Sequence, residues 1–137
     1  MKNLYTARVK VTEGRDGSAV SSDGQMSLKL GFPKELGGAG IGANPEQLFV
    51  AGFASCFAST IKALATARSV KPGPLSIDAA GVLSIRDDGT YIVSHVTLVV
   101  HAPDLGAAGP ALLEEAKRFC AYSNATRGNV QTEVRLG

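Results

Sequence analysis

Apolar residues recur at intervals of three and four from Asn44 onward, and the spacing predicts a helix running to about Arg68. Asn44 suits the N-cap, Pro45 the first helical position and Glu46 the first turn, where a negative charge meets the positive end of the helix dipole. Leu48, Phe49, Gly52, Phe53, Cys56, Phe57, Ile61 and Leu64 cover more than one stripe, so most of this helix is expected to face protein. Gly52, Ala54, Ser55, Ala58 and Ser59 are small enough for another backbone to come close, and Cys56 lies among them.

The flanking segments alternate with period two. Tyr5 to Thr12 places Tyr5, Ala7, Val9 and Val11 on one face, which predicts a half-buried strand. A turn at Gly14-Arg15-Asp16-Gly17, a short extended Ser18 to Ser21, a hairpin signal at Asp23-Gly24 and an alternating Gln25 to Leu30 complete a three-stranded meander. Arg15 is then at a turn tip, where a solvated charge is the simplest reading. Gly31 to Ala43 reads as a flexible glycine-rich loop; its spacing fits no phosphate-binding motif, and Glu46 occupies the place where a phosphate would dock.

Beyond the helix, Lys71-Pro72-Gly73-Pro74 breaks the chain. Leu75 to Ile85 and Tyr91 to His101 form a second hairpin around Asp87-Asp88-Gly89-Thr90. Ala111 to Cys120 has helical spacing, with Lys117 and Arg118 in its last turn, and the polar run CAYSNATRGN starts at its final residue. Val130 to Leu136 alternates as a last strand. The order βββ-α-ββ-α-β, with hairpins in place of βαβ crossovers, predicts an α+β fold of antiparallel sheets around a long central helix.

Length and composition narrow the functional classes. A chain of 137 residues, 45% hydrophobic and 19% charged, is expected to form one domain over 1–137. Net charge is +2 without a basic block, which argues against a nucleic-acid surface. Lys62 interrupts the longest apolar run, so no membrane span is expected. MKNLYTARVK lacks the pattern of a secretory leader, and a cytoplasmic location is the expectation. Cys56, Cys120, His95 and His101 show neither C-x-x-C nor H-x-x-H spacing, so neither a metal nor a bound cofactor is expected. Two cysteines in a reducing compartment shift the expectation from a structural disulfide toward redox chemistry.

With NPEQLFVAGFASCF, CAYSNATRGN and Gly14-Arg15-Asp16-Gly17 in view, the chain resembles the organic hydroperoxide resistance branch of the OsmC/Ohr superfamily over nearly its whole length. The resemblance implies an intertwined homodimer that reduces organic hydroperoxides and is re-reduced by an external dithiol, the lipoyl group of a lipoylated protein. It implies Cys56 as the peroxidatic thiol, Cys120 as the resolving thiol, and Arg15 and Glu46 as the pair that activates Cys56, with Arg15 the cation and Glu46 the carboxylate that orients it. The chain departs from the family pattern in having Ala121 where a proline usually follows the second cysteine, and Phe53 where a tyrosine is usual.

The chemistry is consistent with those roles. A thiol attacks as thiolate, Cys56 is too far inside its helix to gain much from the dipole, and an adjacent guanidinium held by a bidentate carboxylate would favour the charged form. Ten residues at about 1.5 Å each put Glu46 roughly 15 Å along the axis from Cys56, so Glu46 reaches such a site only from a second chain. Phe32, Ile41, Phe49, Phe53, Phe57 and Phe119 lie on or beside these segments and are expected to line an apolar substrate pocket. A thiol-disulfide sensor using the same two cysteines, and a dimeric binding domain in which both are packing residues, remain as alternatives.

Overall fold

The computed structural model describes residues 1–137 and groups them into two compact units, 1–48 and 49–137, the boundary falling just inside the long helix. In the first unit β1 (Val9–Thr12), β2 (Ser18–Ser21) and β3 (Ser27–Lys29) form an antiparallel meander in that order. The turn between β1 and β2 closes with Gly17 N–H donating to Gly14 C=O at 3.1 Å. Gly17 is required there, since a Cβ would lie 1.8 Å from the Thr12 carbonyl oxygen. At the next turn Gly24 takes φ 72°, and Asp23 accepts from the Gln25 N–H at 3.0 Å, the local side-chain bond that favours aspartate in turns.

The expected first strand is shorter than its alternation suggested. Pairing begins at Val9, and Val9 and Val11 are exposed, so this face is not half-buried within the chain. The glycine-rich loop carries one short 3-10 turn, Lys34–Leu36, and is pinned at its ends: Gly31 N–H donates to Ala43 C=O and Ala43 N–H to Lys29 C=O, both at 2.9 Å.

Helix α1 (Pro45–Ala67) begins as its sequence dictates. Asn44 Oδ1 accepts from Gln47 N–H at 2.9 Å while Gln47 Oε1 accepts from Asn44 N–H at 3.1 Å, a reciprocal capping box. Its far end closes with Val70 N–H on Ala65 C=O and Ser69 N–H on Thr66 C=O, with Ser69 in the left-handed region at φ 57°.

In the second unit Phe53, Phe57, Ile61 and Ala65, one per turn, are fully buried. They share a core with Val96, Leu98 and Val100 and with Leu105, Leu112, Leu113, Ala116 and Cys120. The expectation that most of α1 faces protein is met on this stripe only, since Ala51, Ser55, Ser59, Lys62 and Ala63 are exposed within the chain. Despite Lys62, α1 is long and apolar enough by length and composition to cross a bilayer, with mean hydropathy 1.6; its buried aromatic stripe is that of a core helix.

The remaining elements are β4 (Ser76–Ile85), β5 (Tyr91–His101), a 3-10 segment (Pro103–Ala108), α2 (Gly109–Phe119), α3 (Ala121–Thr126) and β6 (Gln131–Leu136). β4 and β5 pair antiparallel, with an irregularity between Val82 and Leu83. β6 departs from the all-antiparallel expectation by pairing parallel to β5. The two helices between them form a crossover that returns the chain to the end where β5 began, which a hairpin cannot do. The second predicted helix also ends one residue early: Cys120 is extended (φ −68°, ψ 125°), and the polar run after it folds as α3.

Phe57→Ala should lower unfolding stability by about 3–5 kcal/mol, because the fully buried ring leaves a cavity the helix-sheet core cannot close. Guanidinium denaturation at fixed protein concentration measures this, and a loss under about 1 kcal/mol would remove Phe57 from the core.

Candidate active site

Two polar pairs stand out, one in each unit. In the first, Arg15 at the β1–β2 turn and Glu46 in the first turn of α1 form a fork-to-fork pair, Nη1 to Oε2 at 2.8 Å and Nη2 to Oε1 at 2.6 Å. Both side chains are partly shielded, at 31% and 18% exposure. Arg15 is thus not the solvated charge that a turn tip suggests. The pair closes within one chain, so no partner subunit is needed to bring Glu46 to Arg15. Hydrogen bonding from the guanidinium holds the Glu46 carboxyl below its ordinary pKa, so the pair stays ionised at neutral pH.

In the second unit, Cys56 in α1 and Cys120 between α2 and α3 are free thiols with their sulfurs 3.3 Å apart, Cys120 donating to Cys56. Their surroundings push them in opposite directions. Burial opposes ionisation of Cys56, but the Tyr122 N–H, the Cys120 thiol and the Ala121 N–H outweigh it and hold Cys56 below the ordinary thiol value. At Cys120 burial dominates and the bond given to Cys56 adds to it, so that thiol is pushed up. The arrangement is one incipient nucleophile that is partly accessible and one protonated thiol, fully buried, in contact with it.

Sequence reasoning missed Tyr122. Its ring stacks on Phe53 at 5.6 Å and meets Phe49 edge-on at 6.1 Å, tying α3 to α1 beside the sulfurs. Gly52, read as a place for a second backbone, admits this side chain instead, since a Cβ there would lie 2.4 Å from the phenol oxygen. A glycine in mid-helix followed one position later by an aromatic was the available signal.

The residues expected to form an apolar wall are divided between the two units. Phe53 and Phe57 are fully buried core residues, and Phe119 is exposed with the Arg118 guanidinium over its ring at 5.9 Å. Phe49 borders a pocket of about 380 Å³ together with Tyr91, Val93 and Ala125. In the first unit Phe32 and Ile41 are exposed. His95 and His101 are on β5, bonded to Ser94 and Asp78, away from the cysteines in sequence and partners. No three His, Cys, Asp or Glu side chains are grouped as metal ligands.

Comparison with known proteins adds to this geometry. The family model for OsmC-like proteins matches residues 37–135. The organic hydroperoxide resistance protein of Xanthomonas axonopodis pv. citri is 45% identical over 98% of this chain and 96% of its own. OhrB of Bacillus subtilis is 34% identical over 97% and 98%. Among solved structures, an organic hydroperoxide resistance protein of Legionella pneumophila superposes with a TM-score of 0.93 at 36% identity, covering 99% of each chain. The Bacillus subtilis OhrB structure gives 0.86 at 35% identity, covering 98% of this chain and all of the other.

The opposite shifts make a prediction about pH. A thiol with a lowered pKa is alkylated at lower pH, so iodoacetamide should modify Cys56 well before Cys120 as pH is raised. Peptide mass spectrometry resolves the two profiles, and Cys120 reacting first would reverse the assignment.

Proposed function

We propose, on the premise that the chain belongs to the OsmC-like family and to its organic hydroperoxide resistance branch, that it reduces organic hydroperoxides to alcohols with Cys56 as the attacking thiol and Cys120 as the resolving one. The observation that carries this reading is the 3.3 Å contact in which the partly accessible sulfur is the one held toward thiolate and its buried neighbour the one held as thiol. The relatives' names supply the substrate class, an organic hydroperoxide.

In this reading the Cys56 thiolate attacks the outer peroxide oxygen, the O–O bond breaks, and the alkoxide takes a proton and leaves as the alcohol. Cys56 is left as a sulfenic acid, which Cys120 condenses to a disulfide with loss of water. An external dithiol, which we take to be the lipoyl group of a lipoylated protein, restores both thiols by exchange. The protein would work in the cytoplasm as an intertwined homodimer. Arg15, already braced by Glu46 of its own chain, would then add its positive charge at Cys56 of the partner subunit, on top of the amide donors that Cys56 has without it.

Stopped-flow mixing of the reduced protein with tert-butyl hydroperoxide tests the assignment. Cys56→Ser should lose turnover, since a serine hydroxyl is not ionised near neutral pH, and Cys120→Ser should react once and then overoxidise at Cys56. Turnover retained without Cys56 would sink the reading. Arg15→Ala should slow peroxide attack by about tenfold and move the pH profile of Cys56 alkylation upward by about one unit. A solvated arginine would change neither.

A further inference from the structure

Ser123 is the buried polar group that this two-cysteine scheme leaves unused. It is 9% exposed, and its hydroxyl makes no hydrogen bond. The helical threonines donate to the carbonyl four residues back, Thr60 to Cys56, Thr66 to Lys62 and Thr126 to Tyr122, and the helical Ser55 to that of Gly52, three back. For Ser123 the carbonyl four back belongs to Phe119, on the far side of the break at Cys120, and the bond is not made. Leaving a buried hydroxyl without a partner is destabilising, which invites a search for a state in which it has one.

The geometry of the break supplies that state. Cys120 occupies the cap position of α3 with extended dihedrals and makes no side-chain cap bond, and Ser123 is three places on, the position whose side chain reaches back toward the cap in a capping box. The hydroxyl also lies close enough to Cys120 to favour the charged form of that sulfur. We propose that Ser123 is a positioning residue for the resolving step, its hydroxyl donating to Cys120 Sγ as that sulfur attacks the oxidised Cys56.

The inference rests on the two-cysteine reading and concerns its second half. In that step Cys120 Sγ forms the S–S bond with its electron pair, the S–O bond of the Cys56 sulfenic acid breaks, and hydroxide leaves with the Cys120 proton as water. The sulfenic sulfur is reduced and the Cys120 sulfur oxidised. Negative charge builds on Cys120 as its proton departs and is gone once the disulfide exists. A donor that meets it only in between lowers the barrier without stabilising either end. In the resting pair the thiol of Cys120 points to Cys56, and Ser123 waits without a partner.

Rapid-quench oxidation by one equivalent of tert-butyl hydroperoxide, with alkylation and mass spectrometry, reads the two steps separately. Ser123→Ala should consume the Cys56 thiol at an unchanged rate, form the Cys56–Cys120 disulfide about tenfold more slowly, and accumulate sulfinic acid at excess peroxide. Its melting temperature should be equal or higher, because an unpartnered hydroxyl is removed. Ser123→Thr keeps the hydroxyl, has room for its methyl in the adjoining cavity of about 210 Å³, and should restore the disulfide rate. An unchanged disulfide rate in Ser123→Ala, or both steps slowed together with a lower melting temperature, would overturn the proposal. If the unaltered protein formed no disulfide, the two-cysteine reading itself would fail. The effect of the hydroxyl would still be read from Cys120 alkylation in Cys56→Ala protein, where adding Ser123→Ala should move the profile up by about one pH unit. No movement there overturns it independently.

Discussion

A thiol set among aromatic side chains ionises only if the donors around it outweigh the loss of water, and the second unit is arranged so that this balance falls differently at two touching sulfurs. Cys56 sits at the edge of the buried stripe of α1, where burial is partial and two backbone N–H groups and a thiol converge on it. Cys120 is inside the core, and its own S–H is committed to Cys56. The difference requires that α1 and the α2–α3 break be held in register to a fraction of an ångström. Tyr122 stacked on Phe53, and Gly52 leaving room for its phenol, fix that register.

The first unit solves a separate problem, keeping a guanidinium fixed on a turn. A lone arginine at a turn tip would sample many rotamers, and its charge would be averaged over solvent. Glu46 prevents this with two parallel hydrogen bonds, and Glu46 is itself placed by the capping box one residue before the helix starts. The carboxylate also meets the positive end of α1, so the same group answers both the helix dipole and the arginine.

These local relations explain what the sequence could reveal. The start of α1 was legible because Asn44, Pro45 and Glu46 are short-range signals, and the β4–β5 hairpin because its turn and alternation are contiguous. The direction of β6 was not legible, since a six-residue alternating strand reads the same whether it enters a sheet from a hairpin or a crossover. α3 was hidden because YSNAT has weak helix propensity and is held in place by the packing of the Tyr122 ring on Phe49 and Phe53. Aromatic content near a reactive residue does not by itself distinguish a pocket lining from a core, and within the second unit Phe53 and Phe57 are core residues. Cys56 and Cys120 were identifiable as candidates, but the asymmetry between them depends on main-chain N–H groups that every residue type except proline carries.

That last point bears on Ala121, where the resemblance read from the sequence leads to the expectation of a proline. The position is the first of α3, and proline fits such a position well because its fixed φ is helical and its missing N–H is one the helix does not use. Here the N–H of that residue is used, since it acts on Cys56 from across the break. A proline would stiffen the joint that holds Cys120 but could not donate. Alanine gives up that stiffness and adds a donor to the sulfur that must carry charge, while the stacking of Tyr122, one residue on, supplies restraint from the side-chain side. The substitution therefore shifts the work of holding the two sulfurs together from the backbone of Cys120's neighbour to the aromatic contact, and gives Cys56 a main-chain donor that a proline would have removed.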